Sequence, residues 1–162
     1  MTVSGPSCFR YDSAVFFDEM DPLGVMHNSR FAVHVVRAQS ALFEHLGYGW
    51  TDLSQRDEDI VYVVRDMAME FTAPVSSPGV MSVEVIALRL GRTSATWGYR
   101  CAHGDTPVAN GTRVVVKVDG SARPVPWTDS FRALFGWLAD GAKGPRPCRR
   151  PAPRRRSGGR SR

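Results

Sequence analysis

Apolar positions in the N-terminal third of the chain recur with a helical period. Phe31, Val35, Ala38, Leu42 and Leu46 fall on one stripe, and Ala32, Val33, Val36 and Phe43 widen it. Only Arg30, His34, Arg37, Glu44 and His45 remain as a polar edge, so this pattern predicts a long helix buried on most sides. Asn28 or Ser29 supplies a cap at its start and Gly47 a stop, giving about 18 helical residues, roughly 27 Å. The β-branched valines lower helix propensity, but burial of the stripe outweighs that small cost.

Beyond a polar loop at 51–59 the period changes to two and β-branched residues dominate. Segments 60–71, 80–90, 93–101 and 108–118 each read as a strand, bounded by Pro74, SSPG, Gly91-Arg92, HGD and Asp119-Gly120. In the segment 60–71, Val61, Val63, Met67, Met69 and Phe71 are predicted on one face, with Asp66 and Glu70 on the other. Residues 8–17 read as an earlier strand. Thr128 followed by Phe131, Leu134, Phe135 and Leu138 reads as a short amphipathic helix, expected on the edge or outer surface of the sheet. The predicted class is α+β: a twisted antiparallel sheet of about five strands against one long helix.

Composition bounds this picture. With 162 residues, 43% of them hydrophobic, the chain can bury one sizeable core, and one domain is expected. No apolar run approaches the roughly 18 residues that span a bilayer, and residues 1–12 lack the pattern of a secretory signal, so a cytoplasmic protein without a membrane partner is expected. Cys8, Cys101 and Cys148 are far apart, with no CxxC pair; reduced thiols are expected, with no zinc site and no other metal.

The net charge of +5 is concentrated at one end. Residues 142–162 hold Lys143, eight arginines and no acid, so the remainder carries twelve basic against 16 acidic side chains. Such an Arg- and Pro-rich tail buries too little apolar surface to fold. The expected division is a folded domain at 1–140 and a disordered tail at 141–162. The tail lacks interleaved aromatics and the body is mildly acidic, so no specific nucleic-acid partner is expected.

Candidate chemistry gathers in FFDEMDPLGVMHNSRF, residues 16–31, where acidic residues, a Gly-containing turn, His27 and Asn28 immediately precede the long helix. The first N–H groups of a helix are unpaired and carry partial positive charge. A carboxylate beside them, Asp21, has two uses: it can cap or shape a turn, or it can act as a reactive base or nucleophile next to donors that hold a developing oxyanion.

The order of this motif, the long helix with Arg37, and the strands carrying FTAPVSSPG, LGRTSATWGYR and VANGTRVVVKVD resembles the hotdog-fold thioesterases of the 4-hydroxybenzoyl-CoA thioesterase type, over most of 11–126. The resemblance implies hydrolysis of an acyl thioester of coenzyme A or of an acyl carrier protein, with no cofactor. It also implies a homo-oligomer, dimer or tetramer, with sites between subunits. Asp21 matches the catalytic carboxylate, as nucleophile or as general base for water. Gly24 permits the tight turn, and backbone N–H groups of His27, Asn28, Ser29 and Arg30 would bind the carbonyl oxygen.

Glu19 matches the first acid of the family's acidic pair, where Asp is more usual. Thr93 and Ser94 match small hydroxyl positions near the thioester, in competition with ordinary strand roles. Arg65, Arg89 and Arg92 are candidates for coenzyme A phosphates, because guanidinium groups bind phosphate through two parallel hydrogen bonds. Met67, Met69 and Phe31 suit either an acyl pocket or the core. Two alternatives stay open: a non-catalytic acyl-thioester-binding or regulatory protein, and a hotdog enoyl-thioester hydratase. The hydratase would want an Asp/His pair after the helix, and the loop at 49–59 has acids but no histidine.

Overall fold

Alternating inward and outward side chains build five strands. The computed structural model describes residues 8–49 and 54–135. The elements are β1 (Phe9–Val15), a 3-10 turn (Phe17–Glu19), α1 (Asn28–His45), a 3-10 turn (Glu58–Ile60), β2 (Tyr62–Phe71), β3 (Gly79–Leu90), β4 (Ser94–His103), β5 (Thr106–Lys117) and α2 (Asp129–Leu134). All strand pairs are antiparallel, in the order β1-β3-β4-β5-β2. Hairpins join β3 to β4 and β4 to β5, while β2 lies on the far edge and reaches β3 by a crossover. The expected α+β hotdog architecture is present, with α1 against one face of the sheet.

The core lies between α1 and that face. Phe31, Val35, Ala38, Leu42 and Phe43 of the helix pack with Val83, Val85, Trp97, Val108 and Val115 of the strands. At Gly111 the β5 backbone passes so close to β2 that a Cβ would stand 2.3 Å from the Ala68 carbonyl oxygen. Only glycine fits there.

Several expectations need correction. The first strand stops at Val15 because the Glu19 carboxylate takes the Phe16 N–H (2.9 Å) and the chain turns into the 3-10 segment, leaving Phe16 and Phe17 exposed. The cap of α1 is neither Asn28 nor Ser29: His27 caps through Nδ1, which accepts the Ser29 N–H at 3.2 Å. His34 is not on a polar edge but fully buried, at 0% exposure. A β-bulge between Val64 and Asp66 shifts the β2 register, so Tyr62 pairs with Lys117 on the core side and Val63 is exposed. A period-two reading cannot see an extra residue in a strand.

The short helix α2 lies on the α1 side of the sheet rather than at its edge or outside. Phe131 is fully buried, stacked on Trp127 (ring centroids 4.7 Å apart) and in contact with Phe43 and Tyr48. Cys101 is a buried free thiol, whereas Cys8 is disulfide-bonded, against the expectation of reduced thiols. Cys148, Leu138 and the basic tail lie outside the described residues. No helix among the described residues is long and apolar enough to cross a membrane.

Candidate active site

The loop between β1 and α1 is built from its own backbone and from two carboxylates. The Gly24 N–H donates to the Asp21 carbonyl (2.9 Å), closing a turn in which Gly24 takes φ +74°, a conformation that costs glycine little. The Asp21 N–H donates to Val25 O at 2.8 Å, and Met20 bridges Met26. Met26 in turn donates its N–H to Val75 O (2.8 Å), which ties the loop to the segment between β2 and β3.

Asp21 is divided between two tasks. Its Oδ1 accepts the Leu23 N–H at 2.8 Å and the Val25 N–H at 3.3 Å, so this oxygen shapes the turn. Its Oδ2 accepts no hydrogen bond among the described residues. One oxygen is therefore scaffold and the other is open.

The start of α1 narrows the set of oxyanion donors. The His27 N–H is taken by Glu19 O (2.9 Å), the Ser29 N–H by His27 Nδ1 and the Arg30 N–H by His27 O (2.9 Å). The Asn28 N–H has no acceptor among the described residues. Because His27 Nδ1 accepts that Ser29 N–H and also lies 2.9 Å from Ser29 Oγ, the neutral ring carries its proton on Nε2, and the Ser29 hydroxyl is the donor.

These groups meet in a cleft of about 440 Å³. Asp21, His27, Asn28 and Phe31 line one wall, and Phe71 with residues 72–75 line the other. The crossover wall was not anticipated from sequence, where Pro74 marks only the end of a strand. Of the remaining predicted residues, Gly24 supports the loop without lining the cleft, and Ser29 and Arg30 turn outward on α1. Thr93 and Ser94 lie at the opposite end of the sheet: the Thr93 carbonyl accepts the Lys117 N–H, and Ser94 pairs with Val116. Arg65 lies at the β2 bulge, Arg89 beside the β3 bulge and Arg92 in the turn between β3 and β4; none reaches the cleft within this protomer. No group of three or more His, Cys, Asp or Glu side chains suited to a metal occurs among the described residues.

A larger depression, about 830 Å³, lies on the face of the sheet away from α1. Its floor is apolar, and two of its charged groups, Glu84 and Arg100, face each other at 3.6 Å. It lacks a carboxylate beside unpaired helix N–H groups, so the smaller cleft is the better site for chemistry.

The pattern of the Thioesterase-like superfamily matches residues 15–135 of the chain. The chain belongs to this superfamily. The acyl-CoA thioester hydrolase YbgC of Escherichia coli is 21% identical over 108 residues, 67% of this chain and 79% of that protein. A DHNA-CoA thioesterase of Staphylococcus aureus shares the fold with a TM-score of 0.72 at 15% identity, covering 82% of this chain and 91% of the other. A thioesterase of Thermus thermophilus, complexed with coenzyme A and zinc, gives a TM-score of 0.65 at 25% identity over 76% of this chain and 93% of that one. Superfamily membership supports a thioester hydrolase at that level, and the narrower 4-hydroxybenzoyl-CoA type is not singled out among these relatives.

Proposed function

We propose that the protein hydrolyses acyl thioesters of coenzyme A, with Asp21 as the catalytic carboxylate. The observation that carries this reading is the pairing, in one cleft, of a free Asp21 Oδ2 with the unclaimed Asn28 N–H. A thioester carbonyl placed against the Asn28 N–H would be polarised, and Oδ2 would attack it or deprotonate the attacking water. The thiolate is a good leaving group, so no strong general acid is required. Acyl carrier proteins present the same thioester arm and are the second substrate class to test.

We place the working site between subunits. Strand β2 is an edge with exposed Val63, Val64 and Phe71, and Phe71 also lines the cleft. Antiparallel pairing of β2 with a second copy would cover this edge and oppose its Phe71 end to its Tyr62 end. That is also the end of the sheet where Ser94 lies, which is how Thr93, Ser94 and the arginines would approach a site they cannot reach within one protomer. Sedimentation as a monomer at micromolar concentration would rule this out. Removal of residues 142–162 is expected to leave turnover of a small acyl-CoA nearly unchanged.

The test is release of free thiol from a panel of acyl-CoA and acyl-carrier-protein substrates by wild type and Asp21→Asn. Asparagine keeps an oxygen to accept the Leu23 and Val25 N–H groups, so the turn survives while the charge is lost. Activity should fall about 1,000-fold or more in the variant. Full activity in Asp21→Asn would remove Asp21 from the mechanism. Thiol release at background level from every substrate would favour a binding protein instead.

A further inference from the structure

Three buried polar side chains from three different elements meet beneath the Asp21 loop. Ser13 of β1, His34 of α1 and Glu19 of the 3-10 turn are 2%, 0% and 5% exposed. Ser13 Oγ lies 2.6 Å from His34 Nδ1, and His34 Nε2 lies 3.3 Å from Glu19 Oε1. The second contact is within ion-pair range but out of line for a full hydrogen bond, which leaves Nε2 without an aligned partner. Glu19 then holds both ends of the loop: its Oε2 accepts the Phe16 N–H at 2.9 Å and its backbone carbonyl accepts the His27 N–H at 2.9 Å. Residues 16 and 27 bracket Asp21.

We propose that Ser13, His34 and Glu19 form a buried positioning chain that fixes the Asp21 loop against α1, and that a proton on His34 Nε2 gives the chain its direction. This rests on the reading of Asp21 as catalytic, although its geometry does not. An ionised Glu19 can only accept, so the neutral ring must present Nε2–H to it. Nδ1 is then an acceptor, and the Ser13 hydroxyl donates to it. The other charged group acting on the ring is Arg37, one turn along α1; together with burial it disfavours the imidazolium, and Glu19 opposes both. A loop released from His34 would shift Asp21 relative to the Asn28 N–H, and a displacement of about 1 Å in such a site costs on the order of 100-fold in rate.

The direction of the chain makes an unusual prediction. In Glu19→Gln the side-chain carbonyl can still accept the Phe16 N–H, but its amide now donates toward His34. The ring is expected to exchange tautomer, with Nε2 accepting and Nδ1–H donating to Ser13. Imidazole 15N NMR shifts of wild type should show the proton on Nε2, and those of Glu19→Gln should show it on Nδ1. His34→Gln keeps a donor toward Glu19 and should retain kcat within about threefold, whereas His34→Leu should lower kcat about 10- to 100-fold with KM little changed. The backbone amide shifts of Asp21, Gly24 and His27 should move in the leucine variant and stay in place in the glutamine variant.

A wild-type proton on Nδ1, or an unchanged tautomer in Glu19→Gln, overturns the proposal, as do undisturbed loop amides in His34→Leu. If the leucine variant does not fold, the tautomer exchange in Glu19→Gln decides. If no thioester is hydrolysed by wild type, the function proposed above fails, while the NMR readouts still decide the chain.

Discussion

Lys117 Nζ lies 2.7 Å from Asp59 Oδ1, and both side chains are 1% exposed. Asp59 also accepts the Thr128 N–H at 3.1 Å and the Thr128 hydroxyl, so one carboxylate joins the 3-10 turn before β2, the end of β5 and the cap of α2. Burial works against the Lys117 ammonium, but the hydrogen bonds and charges of Asp59 and Glu58 outweigh it and raise the pKa above 10.5. Asp59→Ala would leave that ammonium with only the exposed Glu58 and should destabilise the fold by about 3–5 kcal/mol, a fall on the order of 10 °C in Tm by calorimetry. A group with a raised folded pKa contributes its stability below the unfolded value and loses it as pH rises through the folded one. The pair should therefore weaken only above about pH 10.5, and a wild-type Tm lost between about pH 8 and 10 would contradict this.

His34 has the opposite sign. Burial, the largest influence, holds its pKa below 6.5, with Glu19 opposing and Arg37 reinforcing the shift. The unfolded chain then binds a proton before the folded one does, so stability falls as pH drops below 6.5 toward the lowered folded value. Wild-type Tm should decline over that window more steeply than that of His34→Gln. Equal slopes would show that His34 does not titrate differently on unfolding.

Arg113 is 6% exposed and donates to Gln39 Oε1 at 3.0 Å, with its guanidinium over the Tyr62 ring, yet no carboxylate pairs with it among the described residues. Gln39 Oε1 also accepts the Tyr99 hydroxyl, so it keeps a donor when Arg113 is replaced. Arg113→Met should hold stability or raise it by up to about 4 kcal/mol, because a buried cation without a counter-ion is replaced by packing atoms. A loss above about 2 kcal/mol in urea denaturation would show that Arg113 finds an anionic partner in solution.

Gly111→Ala should be among the most damaging single-methyl additions in the protein. The neighbour of the added carbon is the Ala68 carbonyl on the β2 backbone, which cannot swing aside as a side chain can. A loss of about 1–3 kcal/mol is expected, with faster amide exchange along β2 and β5 than in the rest of the sheet. Exchange that quickens elsewhere but not along β2 would refute the close approach.

Long periodic segments were legible from sequence because burial on one face dictates their spacing. The stripe from Phe31 to Leu46 gave α1 within two residues at its start, and the alternation after Ile60 gave four strands. What periodicity cannot carry was missed. The Arg65 bulge adds one residue to a strand, His27 caps through a ring nitrogen rather than a hydroxyl, and His34 is buried because Ser13 and Glu19, far away in sequence, supply its polar partners. The place of Asp21 before the helix was legible. The division of its two oxygens was not, since that depends on how the chain turns at Gly24.

That division also bears on how such a protein drifts. A carboxylate that is half scaffold can lose its charge without losing its shape, because asparagine carries the same turn-forming oxygen. Aspartate and asparagine codons differ by a single base. On the catalytic role proposed for Asp21, one mutational step at position 21 would separate a hydrolase from a stable protein that holds its thioester without cleaving it.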